Sequence, residues 1–408
     1  MKRRVAVAFG NQAVSSLTNF LYLLFLIRAL TAEAFGLYSI GFAILLGAGA
    51  IVNGFFQIQM MTLLPGVPLS DQKAFVTGVL AWLSLALTVL SGIIIGLTLL
   101  VPPLADMLPY IGALLFSIFA FAVKEFCIRY FFSSESGHSR AMMVHTVLAV
   151  ALLLLLCLSP AAFTEVAALA CYGAAHMVAA LFGLYLARLP IGQLRIANMG
   201  QVLAAIMPGG RWAAASALIY TIRASAHTFI VAALVGPLGV AQMNAARVLV
   251  TPATIFIPTL SNILLPEFSR VAKSEGVGAV LSRALRASTQ ILLIAMAYAA
   301  SLLVLWPVVQ PAVLGVAYAD SFWIVGLWCL FAMALAVRSG IEWGLQALQH
   351  FRPISMINLA GAVATVLSVL AFGYFGGVLG AILGAIIGEA LIVWLLFVVM
   401  ARLQREGV

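Results

Sequence analysis

Charged side chains are scarce in this sequence, and acidic ones are the scarcest. Only 8% of the 408 residues are Asp, Glu, Lys or Arg, while 64% are hydrophobic. Soluble domains carry about 25% charged residues, so the composition excludes an ordinary water-soluble globular protein. The mean hydropathy of +1.17 indicates instead a protein with many membrane-spanning segments.

The sequence also lacks the patterns of a metal-binding, disulfide-bonded or catalytic protein. Its four cysteines stand singly in apolar runs, and no CxxC pair occurs. We therefore expect neither a metal site nor a disulfide framework, and nothing indicates a cofactor. No HExxH, GxSxG or Walker A motif is present, so the sequence predicts neither an enzyme nor an ATPase.

Apolar runs of about 20 residues without alternation are abundant, and they predict transmembrane helices rather than barrel strands. We predict an all-α polytopic membrane protein with about 12 transmembrane helices in two pseudo-symmetric six-helix lobes. The expected lobes are 1–187 and 212–408, with a cytoplasmic basic linker at 188–211. Met1–Arg4 precede an apolar run that contains Asn11 and Asn19, which favours a first span over a signal peptide.

Lysine and arginine are concentrated on one set of connections between the predicted spans. The positive-inside rule then places the N- and C-termini in the cytoplasm, in a multi-pass protein of the inner (plasma) membrane. We attribute the net charge of +9 to this topology, in which basic loops face the anionic headgroups of membrane lipids. Nucleic acid is not an expected partner.

Several short matches suggest that the chain is duplicated. Val123-Lys124 aligns with Val337-Arg338, and Phe35-Gly36-Leu37 aligns with Leu238-Gly239-Val240. Duplicated helical bundles are typical of secondary transporters, which bind substrate between their halves. A separate pattern, glycine at every fourth position of the last span, predicts a close-packed helix face. These glycines are Gly376, Gly380, Gly384 and Gly388.

Four predicted spans carry polar residues at helical spacing, and in lipid such faces turn inward. For the asparagines, serines and threonines, interhelical hydrogen bonding and a cavity lining both remain open. For Arg223 and Arg247 we favour a cavity, because no acid lies three or four residues away. The sets are Asn11, Ser15, Thr18 and Asn19; Asn53 and Gln57; Ser216, Tyr220, Arg223 and His227; and Asn244, Arg247, Thr251 and Thr254.

Basic residues outnumber acidic ones within the predicted spans. The charges are Lys124, Arg129, Arg223, Arg247 and Arg338 against Glu125, Glu342 and Glu389. Spacing of four residues predicts structural ion pairs Glu125–Arg129 and Arg338–Glu342. Glu389, which has no such neighbour, and Glu125 are the candidates for coupling to an ion. The cationic surplus predicts an anionic substrate such as a phosphate or pyrophosphate headgroup, which arginine can bind with two hydrogen bonds.

Two segments carry a resemblance to a known family. RALTAEAFGLYSIGFAILLGAGAIVNG (28–54) resembles the first hairpin of polysaccharide exporters and O-antigen flippases. These belong to the multidrug/oligosaccharidyl-lipid/polysaccharide exporter superfamily. Residues 234–276 look like the matching segment of the second half. The resemblance implies a V-shaped pair of six-helix lobes around a central cavity lined by spans 1, 2, 7 and 8.

The resemblance also implies an activity, namely moving undecaprenyl-pyrophosphate-linked oligosaccharide from the inner to the outer leaflet for polysaccharide or lipopolysaccharide biosynthesis. Glycosyltransferases or a polymerase of the same pathway are the implied partners. Basic side chains would bind the headgroup and polar ones would line the cavity. The implied residues are Arg223, Arg247 and Lys124, with Asn11, Asn53, Gln57, Tyr220 and Asn244.

Other functions stay open at this point. A cation-coupled multidrug antiporter on the same scaffold needs an acid that titrates, and Glu389 is its candidate. A general facilitator fold is disfavoured because PGVPLSDQKAFVTG (65–78) lacks the expected signature. A polysaccharide polymerase is disfavoured because the longest outer loop, 307–321, contains no Lys or Arg. A non-transporting scaffold is disfavoured by the intramembrane arginines, which would cost stability without a use.

Overall fold

The computed structural model describes the backbone of residues 2–133, 137–157, 163–190 and 196–406. Within these ranges the chain forms helices and no β-strand, which confirms the predicted all-α class. Nine helices in the same ranges are long and apolar enough to cross a membrane. The last of them, Phe351–Arg405, is long enough for two crossings.

We number the long helices in chain order. Gly377, with φ 56° and ψ −133°, breaks the last helical stretch, Phe351–Glu406, into α11 (351–376) and α12 (378–406), a conformation that glycine adopts readily. The others are α1 (Lys2–Ala29), α2 (Ala32–Gly66), α3 (Gln72–Leu100), α4 (Leu108–Ser133), α5 (His138–Cys157), α6 (Glu165–Ala187), α7 (Ile196–Leu234), α8 (Pro237–Ser274), α9 (Val277–Val304) and α10 (Phe322–Ala347).

Helix α2 is interrupted by a π-helical turn at Asn53–Gln57. Such turns insert one residue into an α-helix and occur frequently at functional sites. The side chain of Gln57 is 1% exposed, and its Nε2 donates to the backbone oxygen of Ala122 on α4 at 3.2 Å. The turn therefore lies against α4 at Ala122.

The chain divides into two compact units. Unit 1 comprises Met1–Leu30 and Gly41–Thr221, and unit 2 comprises Thr31–Ile40 and Ile222–Val408. The segment expected as a linker is 188–211. From Ile196 onward it is helical and forms the first part of α7. The boundary between the units falls within α7, between Thr221 and Ile222.

Each unit is organised around one charged helix. In unit 1, α4 packs closely on α6 and also contacts α3 and α5. In unit 2, α10 packs on α8, α9 and the α11–α12 stretch. Trp328 on α10 donates from Nε1 to the backbone oxygen of Met243 on α8 at 3.0 Å, and Ser288 on α9 donates to Val337 O, also at 3.0 Å. The buried cations Lys124 and Arg338 therefore each lie on a helix that packs against at least three other helical segments of its unit.

The glycine face predicted for the last span is present at three of its four positions. A Cβ at Gly384 would lie 2.5 Å from the Ser368 carbonyl carbon and the Val369 nitrogen, and added Cβ atoms at Gly380 and Gly388 would also overlap α11. Gly376 has no atom within 4 Å of that position. The prediction is therefore wrong for Gly376, which lies at the turn beside Gly377 rather than in the contact.

Candidate functional site

A buried ion-pair network in unit 2 surrounds the guanidinium of Arg338. Its Nε donates to Glu342 Oε2 at 2.9 Å, and its Nη1 donates to Glu389 Oε2 at 3.0 Å. Its Nη2 donates to Asn358 Oδ1 at 2.7 Å. Asn358 Nδ2 in turn donates to Glu342 Oε1 at 3.4 Å. The predicted Arg338–Glu342 pair is thus present, as part of a network that links α10, α11 and α12.

Arg223 on α7 joins this network through Glu389. Its Nη1 lies 2.7 Å from Glu389 Oε1, and the two side chains are 11% and 7% exposed. The expectation that Arg223 has no acidic partner is therefore wrong, and so is the expectation that Glu389 is an isolated acid. Glu389 accepts hydrogen bonds from both Arg223 and Arg338, so it is a bridging group between α7 and α10.

Arg247 on α8 is held by two rings. Its Nη1 lies 3.2 Å from His227 Nε2 on α7, and its guanidinium carbon lies 5.6 Å from the ring centroid of Trp328 on α10. A guanidinium at this distance from an indole is attracted by the ring quadrupole. Arg247 is exposed, whereas its neighbours Ala246 and Val248 are buried. The rings thus fix a cation whose outer surface remains accessible.

The charged cluster of unit 1 differs from the predicted one. Lys124, which is 2% exposed, forms an ion pair with the adjacent Glu125. Its Nζ also lies 5.1 Å from the ring centroid of Phe121. No ion pair joins Glu125 to Arg129 in the described part of α4, so that predicted pair is wrong. Arg129 Nε is buried and has no hydrogen-bond partner there.

Three amide oxygens on α1 and α2 are buried without a hydrogen-bond partner among the described residues. They are Asn19 Oδ1, Asn53 Oδ1 and Gln57 Oε1. A buried acceptor without a hydrogen-bond partner costs about 1–3 kcal/mol of stability, so each such group calls for an explanation. Asn53 and Gln57 are the first and last residues of the π-helical turn of α2. These oxygens are acceptors available to a hydroxyl group or to water.

The remaining predicted site residues are Tyr220, Asn244 and Asn11. Tyr220 is 61% exposed on α7, and Asn244 is partly buried on α8. The side chain of Asn11 lies outside the described residues. Across the described ranges, no group of three or more His, Cys, Asp or Glu side chains is placed to hold a metal ion.

Sequence reasoning missed the two partners that change the site most. Glu389 lies 166 positions from Arg223 and 51 from Arg338, beyond the reach of any helical spacing rule. Lys124 and Glu125 are adjacent, and adjacent residues do not face each other on a helix, so a buried pair between them was not expected. The one available signal was that a lone intramembrane acid tends to find a basic partner.

No protein-family model matches the chain, and no curated protein sequence matches it. Solved structures do match. The inward closed conformation of the lipid II flippase MurJ has a TM-score of 0.72 at 13% identity, and the alignment covers 97% of this chain and 87% of that one. An inward-facing multidrug resistance MATE family transporter of the MOP superfamily has a TM-score of 0.76 at 15% identity, covering 97% and 96%.

A MOP superfamily transporter from Pyrococcus furiosus also matches. Its TM-score is 0.65 at 15% identity, with 98% of this chain and 94% of that one covered. The binding pocket of that transporter is described as having reverse polarity, which suggests a different function for it. At these identities the matches establish the fold alone, which this chain shares with those three transporter structures.

Proposed function

We propose that this protein is a transporter that moves an anionic lipid-linked oligosaccharide, of the undecaprenyl-pyrophosphate type, across the inner membrane for polysaccharide export. The observation that carries the proposal is the state of its intramembrane acids. Each of Glu125, Glu342 and Glu389 already forms an ion pair with lysine or arginine. A cationic cargo would have to displace a basic partner from one of them.

The balance of charge favours an anion. Within the spans predicted from the sequence, five basic residues stand against these three acids. Guanidinium groups bind phosphate oxygens through two parallel hydrogen bonds, which are roughly twice as strong as neutral ones. Arg247 is the candidate for this contact, since His227 and Trp328 orient it while it stays exposed. Arg223 and Lys124 are each paired with an acid. We propose that they contribute positive charge without binding the cargo directly.

Unit 1 offers the complementary chemistry for a sugar. Asn19, Asn53 and Gln57 each present a buried amide oxygen with no hydrogen-bond partner in the described chain. Sugar hydroxyls donate hydrogen bonds, and a site built to accept them discriminates strongly against cargo that lacks them. We therefore assign these three amides to the carbohydrate part of the proposed cargo, and Tyr220 and Asn11 remain sequence-based candidates for the same role in unit 1.

A second candidate is a cation-coupled multidrug antiporter. It is favoured by the similarity to the structure of a multidrug resistance MATE family transporter, which has a TM-score of 0.76. Its candidate coupling acids, Glu389 and Glu125, are however engaged by Arg223, Arg338 and Lys124. Coupling through them would require these ion pairs to open in each cycle.

The test is a transport assay with purified protein in liposomes that carry a fluorescent undecaprenyl-pyrophosphate oligosaccharide. We expect protein-dependent appearance of the headgroup in the opposite leaflet. Arg247→Gln should slow it roughly tenfold or more, because a charge-assisted hydrogen bond contributes about 1.5–3 kcal/mol. Arg247→Lys should keep part of the rate, since it retains the charge and loses the planar fork.

The matched control is Arg352→Gln, an exposed arginine at the start of α11, which should leave the rate unchanged. The proposal fails if the wild-type protein moves no lipid-linked saccharide above the protein-free rate. It gives way to the antiporter if the same liposomes take up a cationic dye in response to an ion gradient and Glu389→Gln abolishes that uptake.

A further inference from the structure

Unit 1 contains a basic cavity of about 400 Å³ where four helix ends meet. Lys73 lies in the first turn of α3, Tyr130 near the end of α4, Arg140 in the first turn of α5, and Tyr185 and Arg188 at the end of α6. The positive-inside rule assigns these ends to the cytoplasmic side. The cavity therefore lies at the level where the headgroups of the inner leaflet are expected.

The basic side chains of this cavity, those of Lys73, Arg140 and Arg188, form no ion pair with a carboxylate anywhere in the described ranges. The N-terminal ends of α3 and α5, which carry a partial positive charge, lie on the same side as Lys73 and Arg140. Arg188 has a left-handed backbone, with φ 49° and ψ 48°, an uncommon conformation for a non-glycine residue.

An apolar cavity of about 290 Å³ lies deeper along the same helices. Leu80 and Ala81 are on α3, Phe119 and Val123 on α4, and Leu181 and Leu184 on α6. At 1.5 Å of rise per residue, Leu184 is about 6 Å along α6 from Arg188, and Val123 is about 10 Å along α4 from Tyr130. Successive stretches of α3, α4 and α6 thus line first the basic cavity and then the apolar groove.

We propose that this pair of cavities binds one anionic membrane phospholipid of the phosphatidylglycerol class. The phosphate would lie between Lys73, Arg140 and Arg188 with the tyrosine hydroxyls beside it, and an acyl chain would occupy the groove between α3, α4 and α6. Topology alone accounts for basic residues at these helix ends. It does not account for a cavity lined by these residues above an apolar groove on the same three helices, an arrangement that matches the two parts of a lipid.

The site is independent of the proposed transport function, because all of its residues belong to unit 1 and none is assigned to cargo. The experiment is native mass spectrometry of the purified protein after incubation with phosphatidylglycerol or phosphatidylcholine. We expect one phosphatidylglycerol to be retained in preference to phosphatidylcholine. The triple variant Lys73→Gln, Arg140→Gln and Arg188→Gln should lose that preference, by about fivefold in affinity per charge removed.

Two further variants make the result specific. A second triple variant, Arg352→Gln, Arg402→Gln and Arg405→Gln, removes the same charge from exposed helix ends of unit 2 and should keep the preference. Ala81→Phe fills the groove and should weaken the binding of phosphatidylglycerol without changing the charge. Far-UV circular dichroism and a single elution peak show whether each variant is folded.

Three results would overturn the proposed lipid site. Equal loss of the preference in both triple variants would show a general effect of surface charge. Competition by inorganic pyrophosphate, together with unchanged binding in Ala81→Phe, would exclude the phospholipid and leave a site for a free anion. Undiminished preference for phosphatidylglycerol in the Lys73, Arg140 and Arg188 variant would overturn the proposal outright.

Discussion

Arg223 and Glu389 form a buried ion pair, with 2.7 Å between Nη1 and Oε1, although 166 positions separate them in the sequence. The pair ties α7 to α12, and Glu389 also bonds Arg338 on α10. One carboxylate therefore links three helices of unit 2. Removing any one charge from this group takes a partner from another charge that water solvates poorly.

We expect the Arg223–Glu389 pair to be energetically coupled. In a double-mutant cycle with Arg223→Gln and Glu389→Gln, the interaction energy between the two side chains should be about 0.5–3 kcal/mol of unfolding free energy. The exposed pair Arg283–Glu275 has the same 2.7 Å separation with side chains 39% and 49% exposed, and should couple by only about 0.2–1 kcal/mol. Equal coupling in the two cycles would contradict a buried role for Glu389.

Loss of Arg338 should be among the most destabilising single changes in unit 2. Arg338→Met leaves Glu342 and Asn358 without their guanidinium donor and Glu389 with Arg223 alone. Breaking a buried ion pair by removing one partner costs about 3–5 kcal/mol. Thermal unfolding in detergent measures the change, with Arg352→Met as the exposed control. A loss as small as that of the control would show that the network does not stabilise the fold.

The Lys124–Glu125 pair allows a test by replacement as well as by removal. Glu125→Gln leaves a lysine that is 2% exposed without its carboxylate and should destabilise unit 1 by about 3–5 kcal/mol. The double variant Lys124→Met and Glu125→Leu should recover most of that loss, because apolar residues often replace a buried pair without cost. If the double variant is less stable than Glu125→Gln, the pair has a role beyond mutual neutralisation.

The glycine face between α11 and α12 should tolerate alanine at one end and reject it in the middle. Gly384→Ala places a Cβ 2.5 Å from backbone atoms of Ser368 and Val369, and we expect it to cost about 1–3 kcal/mol through overpacking. Gly376→Ala meets no atom within 4 Å and should be neutral or stabilising. The unfolding temperatures of the two variants should therefore move differently, and a shared shift would reject the packing argument.

The sequence predicted what depends on local spacing and composition. The helical class follows from apolar runs longer than a bilayer is thick, and the Arg338–Glu342 pair follows from positions four apart on one helix. Glu389 was out of reach because its partners come from α7 and α10, and only tertiary packing brings those helices to α12. The predicted Glu125–Arg129 pair failed for the converse reason, since Glu125 has a closer basic neighbour in Lys124.

The π-helical turn at Asn53–Gln57 has a geometric consequence for α2. It holds one residue more than the α-helical turns on either side. That residue rotates everything beyond it by about 100° around the helix axis, because an α-helix has 3.6 residues per turn. The two halves of α2 therefore present differently phased faces to their neighbours, and Gln57, bonded to α4, lies where the phase changes.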